Sequence, residues 1–294
     1  MCFFFKKMKR FIRNWVVPSG YLDLLKKTKR KEVKASSYPE NRQFKNIHKG
    51  KRCFVLATGP SINTQDLTVL ENEFCIAVGH FHLHKDISVI RPEYHILAPM
   101  HSPFDSSHSI KYFQDFITYY KGINVTYFLG VDNSPLSFSV FLNQYPQYKL
   151  DNVHYIDYSN HILLNEKNCN DADLWDITKE PFGMRSVVYG AVQLAHYMGF
   201  SEVYLLGCDH DYLLDYEKKE SKHFYEYGKG IGDRKSFERY DTEYWFYEYY
   251  IRWRDFRLMR DYCAKHGTKI YNATNGGMLD VFERVNFKDI LKQH

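Results

Sequence analysis

Residues 53–61 read Cys-Phe-Val-Leu-Ala-Thr-Gly-Pro-Ser, and this stretch limits the possible folds more than any other. The apolar run Phe54–Ala57 stops at Thr58-Gly59-Pro60-Ser61, and a polar, helix-compatible segment follows. That pattern describes a buried strand, a glycine turn and a helix start. Gly59 lacks a Cβ and allows close backbone approach, and Pro60 suits a first helical turn. The free N–H groups of such a turn favour an anion, typically a phosphate. The same residues equally describe a plain strand-to-helix connection. They form neither a G-x-G-x-x-G fingerprint nor a P-loop.

Further strand candidates are 75–78, 94–98, 125–129, 153–155, 203–207 and 269–272. Helical patterns cover 187–198, stopped by Gly199, and about 244–266, stopped by Gly267. Strands alternating with helices predict an α/β fold, a Rossmann-like, doubly wound and mostly parallel sheet. Ligands of such sheets bind at the carboxyl ends of strands. Polar residues 32–50 read as a linker, so the spacing predicts a catalytic domain over 48–294 behind a segment covering 1–47. Residues 211–243, rich in Lys, Glu, Tyr and Gly, read as a lid or a solvated connection.

With 294 residues and a net charge of +5, the chain has a mild basic excess, much of it near one end. That argues against a nucleic-acid partner. Residues 1–31 mix Phe3–Phe5, Trp15 and Leu24-Leu25 with ten Lys and Arg. Such an amphipathic stretch suits an anionic membrane surface, or else a docked helix with its lysines in solvent. No apolar run reaches the roughly 20 residues that span a bilayer. None of the six cysteines forms a C-x-x-C pair, a reducing-compartment pattern consistent with a cytoplasmic location, peripheral on the inner membrane face.

The strand ends supply the candidate site. Thr58, Gly59, Pro60 and Ser61 follow the first strand, and His80 the second. Cys208, Asp209, His210 and Asp211 follow residues 203–207. Asp209-x-Asp211 has the form of a motif that holds Mg²⁺ or Mn²⁺ against a diphosphate; Asp209 accepting turn N–H groups is the alternative, and Asp171-Ala172-Asp173 repeats the triplet. His223 is the first candidate for a general base and His210 the second, because imidazole titrates near neutrality. Lys222, Lys229 and Arg234 could neutralise a leaving phosphate. Asn272, Thr274, Gly276 and Gly277 make a tight loop after the last strand, read as a ligand loop.

The ordered combination of the 58–61 turn, Tyr189-Gly190-Ala191, Val203–His210 and Ile270–Gly277 resembles the domain family related to archaeal 6-hydroxymethylpterin pyrophosphokinase, found in bacterial surface-polysaccharide loci. More remotely it is similar to bacterial sialyltransferases that use a CMP-activated sugar. The resemblance implies a nucleotide-sugar donor, a glycan or lipid-linked glycan acceptor, metal-independent transfer and a histidine base in the segment holding His223. It places Ser186 near the donor and matches Gly59, Pro60 and Ser61 to the donor-binding turn. This chain departs from the sialyltransferases in having His80 where Asn is usual, and in lacking an Asn near Ala98-Pro99. The pterin kinases imply Mg²⁺ and keep Asp209 and Asp211 open as a cation pair. Three functions follow as expectations: a glycosyltransferase, with CMP favoured and sialic acid or another nonulosonic acid as the sugar; a Mg-dependent pyrophosphokinase or diphosphate-sugar transferase; and a non-catalytic nucleotide-binding protein.

Overall fold

The computed structural model describes residues 37–100, 105–211, 223–225 and 242–291. Residues 1–31, with their expected membrane contact, lie outside that range, as do Lys222, Lys229 and Arg234.

Eight strands form one sheet: β1 (Arg52–Leu56), β2 (Cys75–Val78), β3 (Tyr94–Leu97), β4 (Thr126–Val131), β5 (Val153–Asp157), β6 (Glu202–Leu206), β7 (Lys269–Asn272) and β8 (Glu283–Arg284). All neighbours pair in parallel, in the order β5-β4-β3-β2-β1-β6-β7-β8. The fold is α/β, Rossmann-like and doubly wound, as the strand–helix alternation predicts. The seven expected strands are present within about two residues. β8 has only two residues, too few for a period to be read.

Within the sheet, side chains alternate between two cores. On β1, Cys53 and Val55 enter one, and Phe54 and Leu56 the other. Burial on both faces explains the unbroken apolar runs, where a one-sided sheet would alternate polar with apolar. Helices α1 (Ile87–Ile90), α2 (Ser106–Tyr119), α3 (Phe138–Gln144), α4 (Val187–Tyr197), α5 (Thr242–Lys265) and α6 (Phe287–Ile290) complete the layers. Helix α4 is apolar nearly all round: nine of its eleven residues are buried, from Val188 to Tyr197. It fills the same core as Val55 and Phe256 of α5, whereas Phe113 and Phe116 of α2 fill the other.

The linker reading of 32–50 is overturned for its described part. Residues Pro39–Phe44 form a 3-10 helix with Asn41 and Phe44 buried. The Asn41 amide donates to the Tyr155 carbonyl at 2.8 Å and the Ile177 carbonyl at 3.0 Å, and His48 bonds the Tyr94 hydroxyl at 2.7 Å. A polar composition concealed these anchors because Asn and His bury when their polar atoms are paired. Replacing Asn41 with Ala should cost about 2 kcal/mol and lower Tm by roughly 4–8 °C in a thermal melt; a linker residue would leave Tm unchanged.

Candidate functional site

Strand order locates the site. From β1 the chain builds outward through β2 to β5, then crosses to the other side of β1 to form β6. The connections from β1 and β6 therefore run in opposite directions, leaving a crevice at the carboxyl ends of these two strands. Here a cavity of about 90 Å³ is lined by Thr58, Gly59, Ser186, Val187, Val188, Cys208, Asp209, His210, Asp211 and His223. That volume suits one phosphate- or ribose-sized group rather than a whole sugar nucleotide, whose sites typically run to several hundred Å³.

Asp209 sits at the floor, 6% exposed. The Ser61 N–H donates to its Oδ2 at 3.3 Å, and the Gly59 N–H to the Gly207 carbonyl at 2.8 Å. A Cβ on Gly59 would lie 1.8 Å from Asp209 Oδ2 and 2.5 Å from the Gly207 oxygen. Gly277, at φ +75°, is equally committed: its Cβ would meet the Asp209 carbonyl at 2.5 Å, and the Met278 N–H donates to that carbonyl at 2.7 Å. The 58–61 turn therefore differs from the expected phosphate cradle. It is a five-residue 3-10 segment, Pro60–Thr64, and the Ser61 N–H already faces an internal carboxylate. Gly59 is required by the close approach of Asp209 and the β6 loop.

The loop after β7 is also spoken for. Asn272, fully buried, donates to the Leu279 carbonyl at 2.7 Å and accepts from the Thr274 N–H at 3.0 Å. Thr274 Oγ1 accepts the Cys208 N–H at 3.0 Å. Arg284 donates to the Gly276 carbonyl at 2.6 Å and the Gly277 carbonyl at 2.8 Å. Asn272, Thr274, Gly276 and Gly277 do not line the cavity; they brace the Asp209 loop, which corrects the ligand-loop expectation. Arg284, on the two-residue β8, was not among the site residues expected from the sequence.

What faces the cavity is the start of α4. Ser186 is its N-cap, its hydroxyl accepting the Val188 N–H at 3.4 Å, and Val187 and Val188 present the first turn. An eleven-residue helix aims its positive end into the crevice. The preceding Arg185 holds both Glu248 oxygens on α5 at 2.8 Å, which fixes this helix start.

His223 closes the other side. Its Nδ1 lies 2.8 Å from Thr58 Oγ1, and the next residue, Phe224, donates its N–H to the Thr58 carbonyl at 2.9 Å. Burial lowers the imidazole pKa to about 4, with an opposing contribution from the Thr58 backbone, which favours the charged ring. An Nδ1–H held by Thr58 leaves Nε2 as the basic nitrogen. His210 also lines the cavity, at φ +48°, edge-on to Trp253 and Phe256; burial lowers it to about 3, helped by Arg252.

His80 does not reach the cavity. Its Nδ1 bonds the Tyr112 hydroxyl at 2.7 Å, and burial holds it well below the ordinary imidazole value. Cys208 is buried, and desolvation raises its thiol far above the usual range, so it is no nucleophile. Burial raises the Asp209 carboxyl, against the lowering effect of Ser61. Among the described residues no three His, Cys, Asp or Glu are placed to hold a metal ion. Asp209 and Asp211 are the two carboxylates among the described residues lining the cavity, and one Asp209 oxygen is already turned to Ser61, so this pair fits a dedicated cation site poorly. The repeat triplet is structural: Asp171 caps a 3-10 turn and Asp173 pairs with Lys179 at 2.6 Å.

Two outcomes test this geometry. Gly59→Ala should destabilise by about 1–3 kcal/mol, because the new methyl meets backbone and carboxylate. Gly276→Ala, whose Cβ would meet nothing within 4 Å, should show only the strain of φ +81°, about 1 kcal/mol. The second concerns acid. His210 and His223 have folded pKa values below their unfolded value near 6.5. The unfolded chain therefore binds protons first as pH falls. Their stabilisation is complete above pH about 6.5 and is lost as pH drops toward 4 for His223 and toward 3 for His210; His210→Gln should flatten the urea-unfolding profile between about 6.5 and 3.

In comparisons with known proteins, no family model matches this chain, and no curated protein matches it.

Proposed function

We propose that this protein is a glycosyltransferase of bacterial surface-glycan assembly, moving a sugar from a nucleotide donor to a hydroxyl of a glycan acceptor. CMP is the favoured nucleotide, and sialic acid or another nonulosonic acid the favoured sugar. The observation that carries this reading is the meeting of the α4 N-terminus with a neutral, Thr58-anchored His223 in one crevice at the β1/β6 switch point.

The chemistry divides between the two sides. The donor phosphate lies at the Ser186–Val188 turn, where N–H groups and helix dipole favour negative charge. His223 Nε2 takes the proton of the acceptor hydroxyl. The acceptor oxygen then forms the new bond to the anomeric carbon, while the bond from that carbon to the phosphate oxygen breaks. The bonding electrons leave with the phosphate, and the helix terminus stabilises the added charge. The Thr58 hydroxyl oxygen stabilises the imidazolium that forms, because Oγ1 lies 2.8 Å from Nδ1 and accepts from Nδ1–H. The small cavity houses the reacting phosphate, and the remainder of donor and acceptor extends beyond it. The proposed location is cytoplasmic, on the inner membrane face. Separately, no helix among the described residues is long and apolar enough to cross a membrane.

A thermal-shift panel of CMP, UDP, GDP, ADP and ATP, each with and without Mg²⁺, tests the donor. CMP should raise Tm most, with no need for metal, since a ligand that binds only the native state stabilises it. A shift seen only with ATP and Mg²⁺ would favour pyrophosphoryl transfer instead. With the donor found, His223→Gln should lower kcat by about 10²–10⁴ and leave nucleotide Kd within a few-fold. Wild-type kcat/KM should keep its acid limb near pH 4 rather than 6.5. Binding with no transfer to any acceptor would leave only a nucleotide-binding role.

A further inference from the structure

Residues 223–225 are held by a row of aromatic rings that begins far from the crevice. The His223 and Tyr225 rings stack at 4.9 Å with an interplanar angle of 4°. Behind Tyr225 lies His80, ring centres 5.0 Å apart, and behind His80 lies Tyr112 of α2, at 4.1 Å. The Tyr112 hydroxyl bonds His80 Nδ1 at 2.7 Å, so the row ends in a directional contact rather than a loose stack. Between His223 and Tyr225, the Phe224 ring turns the other way, edge-on to Phe81 at 6.1 Å and to His84 at 5.4 Å.

The base of the row is itself fixed. The chain leaves β2 through Gly79 at φ +55°, a conformation an L side chain rarely adopts. The Gly79 carbonyl lies 2.8 Å from Nε2 of the fully buried His95, whose Nδ1 lies 2.6 Å from the Tyr120 hydroxyl. With Tyr120 donating to Nδ1, His95 Nε2–H donates to Gly79, and the ring stays neutral. The turn that carries His80 is thereby tied to β3 and α2.

We infer that Tyr112 and His80 are positioning residues: through the Tyr225 ring they press the His223 imidazole against Thr58 and keep water from its face. No ordinary requirement of α2 calls for a hydroxyl at position 112, which is half-buried and used on a histidine from another element. A base must be held within a few tenths of an ångström and kept neutral, and packed neighbours serve both needs. The rings supply it from three elements: α2, the turn after β2 and the 223–225 segment. The titratable groups around this row are Lys111 and Asp115 on α2, which pair with each other, His82 in the turn, His95 on β3, and Asp209, His210 and Asp211 across the crevice. The bearing on catalysis rests on His223 being the base; the following measurement does not.

Histidine NMR titrations of the full chain, with His223 assigned through His223→Gln, read the effect without any substrate. In wild type, His223 should stay neutral to about pH 4. Tyr225→Ala and Tyr112→Ala should each raise its midpoint by about one pH unit or more toward 6.5, as water reaches the ring. Tyr112→Phe, which keeps the ring and loses the hydroxyl, should raise it less. Midpoints within 0.3 units of wild type (roughly the scatter of such titrations) in both alanine variants, with the buried His196 unmoved as the fold control, would overturn the inference. Should Tyr112→Ala fail to fold, His80→Asn carries the same expectation and the same refutation. A catalytic loss in His223→Gln without these shifts would leave the base in place and remove its support.

Discussion

The crevice depends on how closely three strand-end loops approach one another around Asp209. Two missing Cβ atoms permit it: Gly59 against the Asp209 carboxylate and Gly277 against its carbonyl. The Ser61 and Met278 N–H groups then bond the residue from opposite sides. Arg284 draws the β7 loop's carbonyls together, and Thr274 holds the Cys208 N–H. Loosening any of these would let the β1 and β6 loops part, and the floor between them would be lost. Two glycines that suggest ligand contact in a one-dimensional reading, Gly59 and Gly277, make room here for Asp209, its side chain at Gly59 and its backbone at Gly277.

This arrangement also sets the electrostatics. Because an internal carboxylate occupies the 58–61 turn, the Ser61 N–H is already engaged there. The positive end is the start of α4, capped by Ser186 and fixed to α5 through Arg185 and Glu248. Burial keeps both crevice histidines, His210 and His223, uncharged at neutral pH. In His223 the neutral ring is also anchored, which suits proton acceptance; His210, wedged between Trp253 and Phe256, has the surroundings of a packed side chain.

Much of the fold was legible. Strands such as Cys75–Val78 announce themselves because burial on both faces demands continuous apolar residues, and α4 ends at a glycine in the left-handed region, Gly199 at φ +83°. Part of the candidate site was legible as a set of residues that share one cavity. Thr58, Ser186, Asp209, His210 and His223 were all marked by sequence, and all line one cavity. Their partnerships were not legible. His80 and Asn272 carry the same chemistry whether they face a ligand or the protein, and only their bonds to Tyr112 and Leu279 separate the two. Asn41 was hidden for the same reason, as a polar residue whose amide N–H groups are taken by carbonyls 114 and 136 positions away.

By itself, then, the sequence determined that the chain alternates strand and helix, that its sheet is parallel and covered on both faces, and that chemistry-bearing residues collect at strand ends. These are local properties, written in period, turn residues and caps. Tertiary structure alone decided which strand lies beside which, and hence that the β1 and β6 ends form the crevice. It also decided which polar groups answer to one another and which face the open space. Hydrogen bonds and close approaches between distant segments depend on three-dimensional register, which no pattern along a single chain records.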